Sequence, residues 1–407
     1  MAAMRDITSP QWTNAQVFLG SEFPWSVTMA WMSSYLTLFL VDEHLAPHQI
    51  GLAMGMGAFL QVIGLGFSGS LSRKIGRKGS ILSGDFAGWV LVLGVWALSR
   101  NPLWLGVGVV VNQAMGFVGP AWNSLFSEGE DSARLPRYFF ILQLLTVAGG
   151  LVLPIMEPWI SHQGVVHTGH RLLLVLWPLV ALAWTSRLLW LRESETGRHQ
   201  MGSRESFSTM MHNLRRGLRG TGSVLAGLRV MVQVPLVLFA NLAPLALVAS
   251  RGSDLAPSRL AWLPVAATAA ALGLAGLQSR MDSRHNRVMV GVSILLLFLG
   301  FGLLAMTGPG HFWRIMVAWA LVTGGQTQFW TSHTSYWMTW LPDAVRVDVQ
   351  GWIGVVTAGL VAVLSPLVAP VFAHAPHPLF WGIEALFGAA MLFWNFLPHP
   401  HVAEDAL

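Results

Sequence analysis

The chain has 407 residues, 54% of them hydrophobic and only 11% charged, with a formal net charge of +5 and no cysteine. Ordinary soluble domains carry about 25% charged residues, so there are too few charges here to clothe a water-facing globule, and the outer surface is expected to face lipid. The lack of cysteine removes disulfides, thiolate metal sites and cysteine nucleophiles.

In chain order, residues 1–16 lack a basic leader region and a small-residue cleavage site, and read as a short cytoplasmic tail. Apolar stretches of roughly 20 residues then follow, each long enough to cross a bilayer. The first six are Val17–Val41, Ile50–Leu71, Ser80–Ser99, Leu103–Phe126, Tyr138–Trp159 and Arg171–Leu191. After a break come Val230–Ser250, Leu260–Gln278, Arg287–Met306, Phe312–Trp337, Trp352–Phe372 and Leu379–Phe396. With the N-terminus inside, nineteen of the 24 Lys and Arg fall on the cytoplasmic face and five (Arg100, Arg171, Arg251, Arg259 and Arg314) outside. That asymmetry follows the positive-inside rule, so the basic charge is topological and a nucleic-acid partner is not expected.

The predicted division is an N-terminal six-helix lobe over 17–191, a cytoplasmic linker over 192–229 rich in Ser, Gly and Arg, a C-terminal six-helix lobe over 230–397 and a cytoplasmic tail over 398–407. The lobes repeat. Leu45-Ala46-Pro47 recurs as Leu255-Ala256-Pro257, and Asp131-Ser132-Ala133-Arg134 as Asp343-Ala344-Val345-Arg346. The run starting at Gly69 is echoed by the run from Gly276 that contains Arg280 and Arg284. Three collinear matches at nearly constant offset indicate an internal duplication.

The loop between the second and third spans reads Gly69, Leu71, Ser72, Arg73, Lys74, Gly76, Arg77, Lys78. With the six-plus-six layout, it resembles the signature of the major facilitator superfamily, G-x-L-A/S-D-R/K-x-G-R/K-R/K, and the resemblance covers nearly the whole chain. It implies an all-α membrane fold of twelve transmembrane helices in two pseudo-symmetric lobes, and a cytoplasmic latch made of Gly69, Arg73, Gly76, Arg77, Lys78, Arg280 and Arg284. One position departs, since Arg73 stands where the family has an acid. Asp85, about two turns into the third span, is a candidate to pair with Arg73 or Arg77 and replace it. In the fourth span Asn112 occupies the place of the arginine found in proton-coupled members, and Ala148 to Pro154 match the antiporter signature poorly.

In that fold the first, fourth, seventh and tenth helices line the central path. Candidate cavity residues are therefore Trp31 and Tyr35 on the first span, Asn112, Gln113 and Trp122 on the fourth, Asn241 on the seventh, and Gln326, Trp330 and His333 on the tenth. Glu22, Ser26, Met29 and Ser33 form a second stripe on the first span, and Gln326, Trp330, His333 and Trp337 share a face on the tenth. Ionisable groups inside spans are expensive, which makes Glu22, Asp85, His333 and Glu384 the ion-coupling candidates, whereas Glu157 and Arg187 near span ends are expected at the interface. A fixed anion site would need a buried arginine, which the four lining spans as drawn lack, so a neutral or weakly charged polar solute is expected.

His167 and His170 have ligand-like spacing, but no cysteine or nearby carboxylate completes a metal site, and a structural role is expected. No cofactor is implied, and no phosphate loop of the G-x-x-x-x-G-K-S/T type is present, so movement would be uniport or gradient-driven. The sequence thus predicts a monomeric, multi-pass inner-membrane transporter of a small organic solute, with the proton as a candidate coupling ion and both termini cytoplasmic. A proton-coupled efflux antiporter is the nearest alternative. A non-transporting sensor on the same scaffold is the alternative from another class, and an enzyme is disfavoured because no acid and base cluster appears near a membrane face.

Overall fold

The computed structural model describes residues 12–127, 135–193, 198, 212, 214–278, 285–340 and 343–397, and every regular element among them is helical. The first helix, α1, starts at Asn14 because Thr13 and Gln16 exchange side-chain-to-backbone hydrogen bonds in a capping box. It runs as Asn14–Trp31, a π turn over Met32–Leu36, and Thr37–Asp42. Pro47 opens α2 at its first turn, where a missing N–H costs nothing. The helix breaks at Gly76, whose φ of 80° favours glycine, and α3 continues beyond it to Asp85, through a π turn over Phe86–Leu91, to Leu98.

Next come α4 (Pro102–Ser127, with a 3-10 turn at Met115–Val118), α5 (Leu135–Gly150) and the helical segment Glu157–Trp190. That segment breaks at Gly164, and its part beyond the break is α6. The remaining helices are α7 (Thr221–Val248), α8 (Leu263–Gln278), α9 (Asn286–Ala305), α10 (Phe312–Trp340), α11 (Asp343–His374) and α12 (Pro376–Trp394). Two boundaries differ from the sequence reading. Helix α7 starts nine residues before the expected Val230, which moves Arg229 out of the linker and into a helix. The 3-10 turn Pro257–Trp262 precedes α8 and shortens it.

Among the described residues, seven helical stretches are long and apolar enough to cross a membrane by length and composition, including Pro47–Phe67, Thr221–Val248 and Asn286–Ala305. The chain is thus a multi-pass membrane protein. Fewer described stretches qualify than the twelve expected, and two helices show why: α10 carries a long polar run, and the described part of α8 spans 16 residues.

Helix packing is set by small residues. A Cβ on Gly51 of α2 would lie 2.6 Å from the Ser365 carbonyl oxygen of α11, and one on Gly149 of α5 would lie 2.5 Å from the Ser26 carbonyl carbon of α1. Further along the same seam, Ala58 packs with Val361 and with Val234 and Leu238 of α7, so α2 and α11 run antiparallel in continuous contact. The main core contains Tyr35, Phe39, Trp96, Phe301, Trp337 and Phe387, all of them sealed.

Candidate functional site

A cavity of about 290 Å³ lies between α1, α5, α7, α8 and α10. Its wall on α1 is Ser26, Met29, Ala30, Ser33 and Ser34, and on α10 it is Trp319, Val322, Thr323, Gln326 and Thr327. Thr146 of α5, Phe239 and Ala240 of α7, and Thr268 of α8 complete the polar and aromatic lining, and none of the lining residues is ionisable. Most of the hydroxyls donate to a carbonyl of their own helix: Thr146 to Leu142, Thr268 to Pro264, Thr323 to Trp319 and Ser33 to Ala30. Each keeps its oxygen lone pairs for the cavity. Ser26 differs, because its buried Oγ has no hydrogen-bond partner. That oxygen is itself enclosed.

At the α1 C-terminal end the cavity is closed. Pro264 packs where a Gly150 Cβ would stand, the Tyr35 hydroxyl lies 3.5 Å from the Ser258 carbonyl oxygen, and Trp262 Nε1 donates to Glu157 Oε2 at 2.6 Å. Each of these contacts joins a residue of the first half of the chain to one of the second half.

Of the nine predicted cavity residues, Gln326 lines this cavity. Tyr35 belongs to its closed end. Trp31 is buried against Phe39 and Gly169. Asn112 donates to the Gly88 carbonyl at 2.8 Å, within the π turn of α3, and Gln113 packs where Gly57 leaves room. Trp122 stacks on Phe126 and touches Phe18, and Asn241 donates to Val237 on its own helix. The tenth-span stripe divides: Gln326 and Trp330 are exposed, while His333 and Trp337 are sealed. On α1, Ser26, Met29 and Ser33 all line the cavity.

One turn from Ser26, Glu22 enters a buried charge cluster. Arg187 of α6 donates from Nη2 to Glu22 Oε2 at 2.8 Å, from Nη1 to Asp85 Oδ2 at 3.0 Å and from Nε to Ser21 Oγ at 2.8 Å. Its guanidinium also lies 4.7 Å from the Trp25 ring centroid and 5.0 Å from that of Phe18. Two expectations are corrected here. Arg187 is 3% exposed and not interfacial, because α1 and α3 each deliver a carboxylate to it. Asp85 finds its partner in this arginine, which the sequence reading had not offered for it. The other coupling candidates lie elsewhere: Glu384 of α12 packs against Gly302 of α9, and His333 is enclosed between α7 and α10.

The glycine turn between α2 and α3 does recruit a carboxylate, but from a residue that the sequence reading passed over. Glu193, just beyond α6, accepts from the Lys78 backbone N–H at 2.9 Å, and Lys78 Nζ donates to the Leu188 carbonyl at 2.9 Å. A Cβ at Gly76 would collide with the Glu193 carboxylate. Glu193 lies 115 residues from Lys78, so no local motif pointed to it. Gly69 and Arg73 are placed on α2 without side-chain detail, and Arg280 and Arg284 lie outside the described residues.

His170 also gains a carboxylate that its sequence neighbourhood lacks. Its Nε2 lies 2.9 Å from Glu43 Oε1 and its Nδ1 3.2 Å from the Ala97 carbonyl oxygen, a tie between α1, α3 and α6.

Arg229 is the second buried cation. It is 9% exposed, sits 4.1 Å over the Trp330 ring and reaches Thr334 Oγ1 at 3.3 Å and His333 Nδ1 at 3.5 Å, both from Nη1. His333 Nε2 lies 3.1 Å from the Leu225 carbonyl oxygen, so that nitrogen carries the proton and Nδ1 is the acceptor. The imidazole is thus committed on both edges. The expectation that the lining helices lack a buried arginine is overturned by the earlier start of α7.

No protein-family model and no curated protein sequence matches the chain. Solved structures do. A mutant of the nucleoside transporter NupG aligns with a TM-score of 0.67 at 14% identity, covering 95% of this chain and all of that one. An auto-inhibited POT family peptide transporter aligns at 0.60 and 14% identity, covering 94% and 96% of the two chains. A POT family transporter in complex with 5-aminolevulinic acid aligns at 0.64 and 12% identity, covering 94% of each. The fold is therefore that of these transporters, a major-facilitator-like fold.

Proposed function

We propose that the protein is a secondary transporter that moves a small organic solute across a bilayer by alternating access. The observation that carries this reading is the cavity itself, enclosed by helices from both sides of the central linker and closed at one end by contacts that cross it. A space built from two bodies can change its open end when they rock against each other.

In this reading the twelve helices all span the membrane as two six-helix lobes, with both termini on the cytoplasmic side. The spacing of equivalent helices supports the duplication: α1 starts at Asn14 and α7 at Thr221, 207 residues on, while α4 starts at Pro102 and α10 at Phe312, 210 residues on. The orientation given by the positive charges makes the closed end extracytoplasmic and the protein inward-facing. Ser26, Ser33, Thr323 and Gln326 would meet the solute body. Glu22 and Asp85 are the coupling candidates best supported by geometry, because two carboxylates share one guanidinium and the cluster lies one helical turn from the cavity. His333 and Glu384 are less well placed, being outside the cavity lining.

Uptake into proteoliposomes containing the purified protein tests the reading. A panel of sugars, nucleosides, short peptides and organic acids should yield at least one solute whose entry exceeds that of protein-free liposomes and falls in Q326A. Binding of a solute with no movement of any would sink transport and favour a sensor.

A further inference from the structure

A buried guanidinium in a membrane helix needs a negative partner, and Arg229 has none among the described residues. Its hydrogen bonds go to one hydroxyl and one neutral imidazole, both at 3.3 Å or longer and both from the same nitrogen. Nε and Nη2 make no hydrogen bond to the described residues, and 9% of the residue stays exposed. Arg187 has the opposite environment, with two carboxylates and a hydroxyl on three nitrogens.

Position gives this difference meaning. Arg229 stands 207 residues after Glu22, the same offset that separates the starts of α7 and α1, so the two occupy equivalent places in the repeat. On α10, Trp330 follows the cavity residue Thr327 by three residues, about 4.5 Å along the helix axis. Trp330 is 50% exposed and backs the guanidinium, which leaves a cation with one apolar wall, one hydroxyl and two nitrogens unused by the described residues. A planar fork of unused donors beside an indole is the arrangement that receives a carboxylate or a phosphate.

We infer that Arg229, Trp330 and Thr334 form a receptor for an oxyanion, carboxylate or phosphate, on the path into the cavity. The neutral cavity wall would hold the body of a solute and Arg229 its anionic group, so the cargo is an organic anion with a polar body. That last step rests on the transport reading, while the anion site does not.

The test is binding, with inorganic phosphate and benzoate as separate probes and sodium chloride at matched ionic strength as the control. Purified full-length protein in phosphatidylcholine nanodiscs is titrated, and its thermal midpoint is followed. Wild type should be stabilised by both probes. R229Q should need at least about tenfold more of either for the same shift, and R229K should lie between the two. A second readout separates an anion receptor from a structural arginine: without anion, R229Q should keep the wild-type midpoint or exceed it, because an acid-free cation is removed. If both probes shift R229Q as they shift wild type, the inference is overturned. If R229Q does not fold, W330A decides in its place, with several-fold weaker binding expected and unchanged binding refuting the site.

The same titration in phosphatidylglycerol nanodiscs distinguishes the source of the oxyanion. Loss of the probe effect there assigns the site to a lipid headgroup phosphate, and its persistence assigns it to a soluble anion. Proteoliposomes that move no solute while Arg229-dependent binding persists would defeat transport and leave the site standing. Uptake that proceeds beside identical probe binding in wild type and R229Q would do the reverse.

Discussion

Removing the Arg187 side chain should be among the most damaging single changes in the protein, and its effect should depend on which carboxylates remain. Arg187 bridges α1, α3 and α6 through Ser21, Glu22 and Asp85, and the side chains of the two acids are only 17% and 7% exposed. R187M strands two enclosed carboxylates that share one site, and breaking a buried ion pair from one side costs about 3–5 kcal/mol. E22Q or D85N alone should cost far less, roughly 1 kcal/mol, since each leaves one acid to pair with the guanidinium and an amide oxygen that still accepts a hydrogen bond. The double change E22Q/D85N strands the arginine and should again cost several kcal/mol. The cycle is therefore non-additive, with a coupling of about 2 kcal/mol. Unfolding in mixed micelles, followed by tryptophan fluorescence, measures all four variants, and R192M at an exposed arginine is the reference. If R187M unfolds within about 0.5 kcal/mol of R192M, or if the two acid substitutions simply add, the cluster does not hold these helices together.

Other substitutions probe the turns and seams. G76A forces a side chain onto φ 80° and against the Glu193 carboxylate, and should destabilise by about 1–3 kcal/mol, whereas E193A, which removes only the acceptor of the Lys78 N–H, should cost about 1 kcal/mol; thermal midpoints of the two check this order. G149V pushes a branched side chain into the α1 backbone at Ser26 and should lower the yield of monodisperse protein on size exclusion, with a penalty of about 1–3 kcal/mol or more. W262F deletes the donor to Glu157 at the closed end, so a cysteine placed at Ser258 in this cysteine-free chain should react several-fold faster with a soluble maleimide than in the parent, while unchanged labelling would show that this contact does not keep the end closed.

Apolar runs, proline starts and the repeat made the helical layout legible in the sequence, because a bilayer imposes length and composition directly on the chain. The α1 stripe of Ser26, Met29 and Ser33 was legible for the same reason, as polar groups at helical spacing in a membrane need a wet neighbour. Asn112 and Trp122 looked equally suited, but one satisfies a carbonyl at the π turn of α3 and the other stacks within its own bundle. Composition alone cannot tell those roles apart. Arg229 was missed through a boundary: the helix continues for eight residues before it, residues 221–228, which read as the end of the linker. Arg187 and Glu193 were missed because their partners are 102 to 166 residues away, and long-range pairing between single charges leaves no periodic trace.

The π turn at Met32–Leu36 carries a consequence for how this lining came about. A π turn holds one residue more than an α turn, and π bulges often sit at functional places in helices. Removing a residue there, Ser33 for instance, would let α1 close up as continuous α-helix and rotate its first part by about 100° relative to Thr37–Asp42. Ser26 and Met29 would swing off the cavity and Glu22 away from Arg187 together, since all three ride on the same rigid segment. Solute wall and charge cluster thus share one register, and an insertion or deletion of a single codon in α1 would unset both at once.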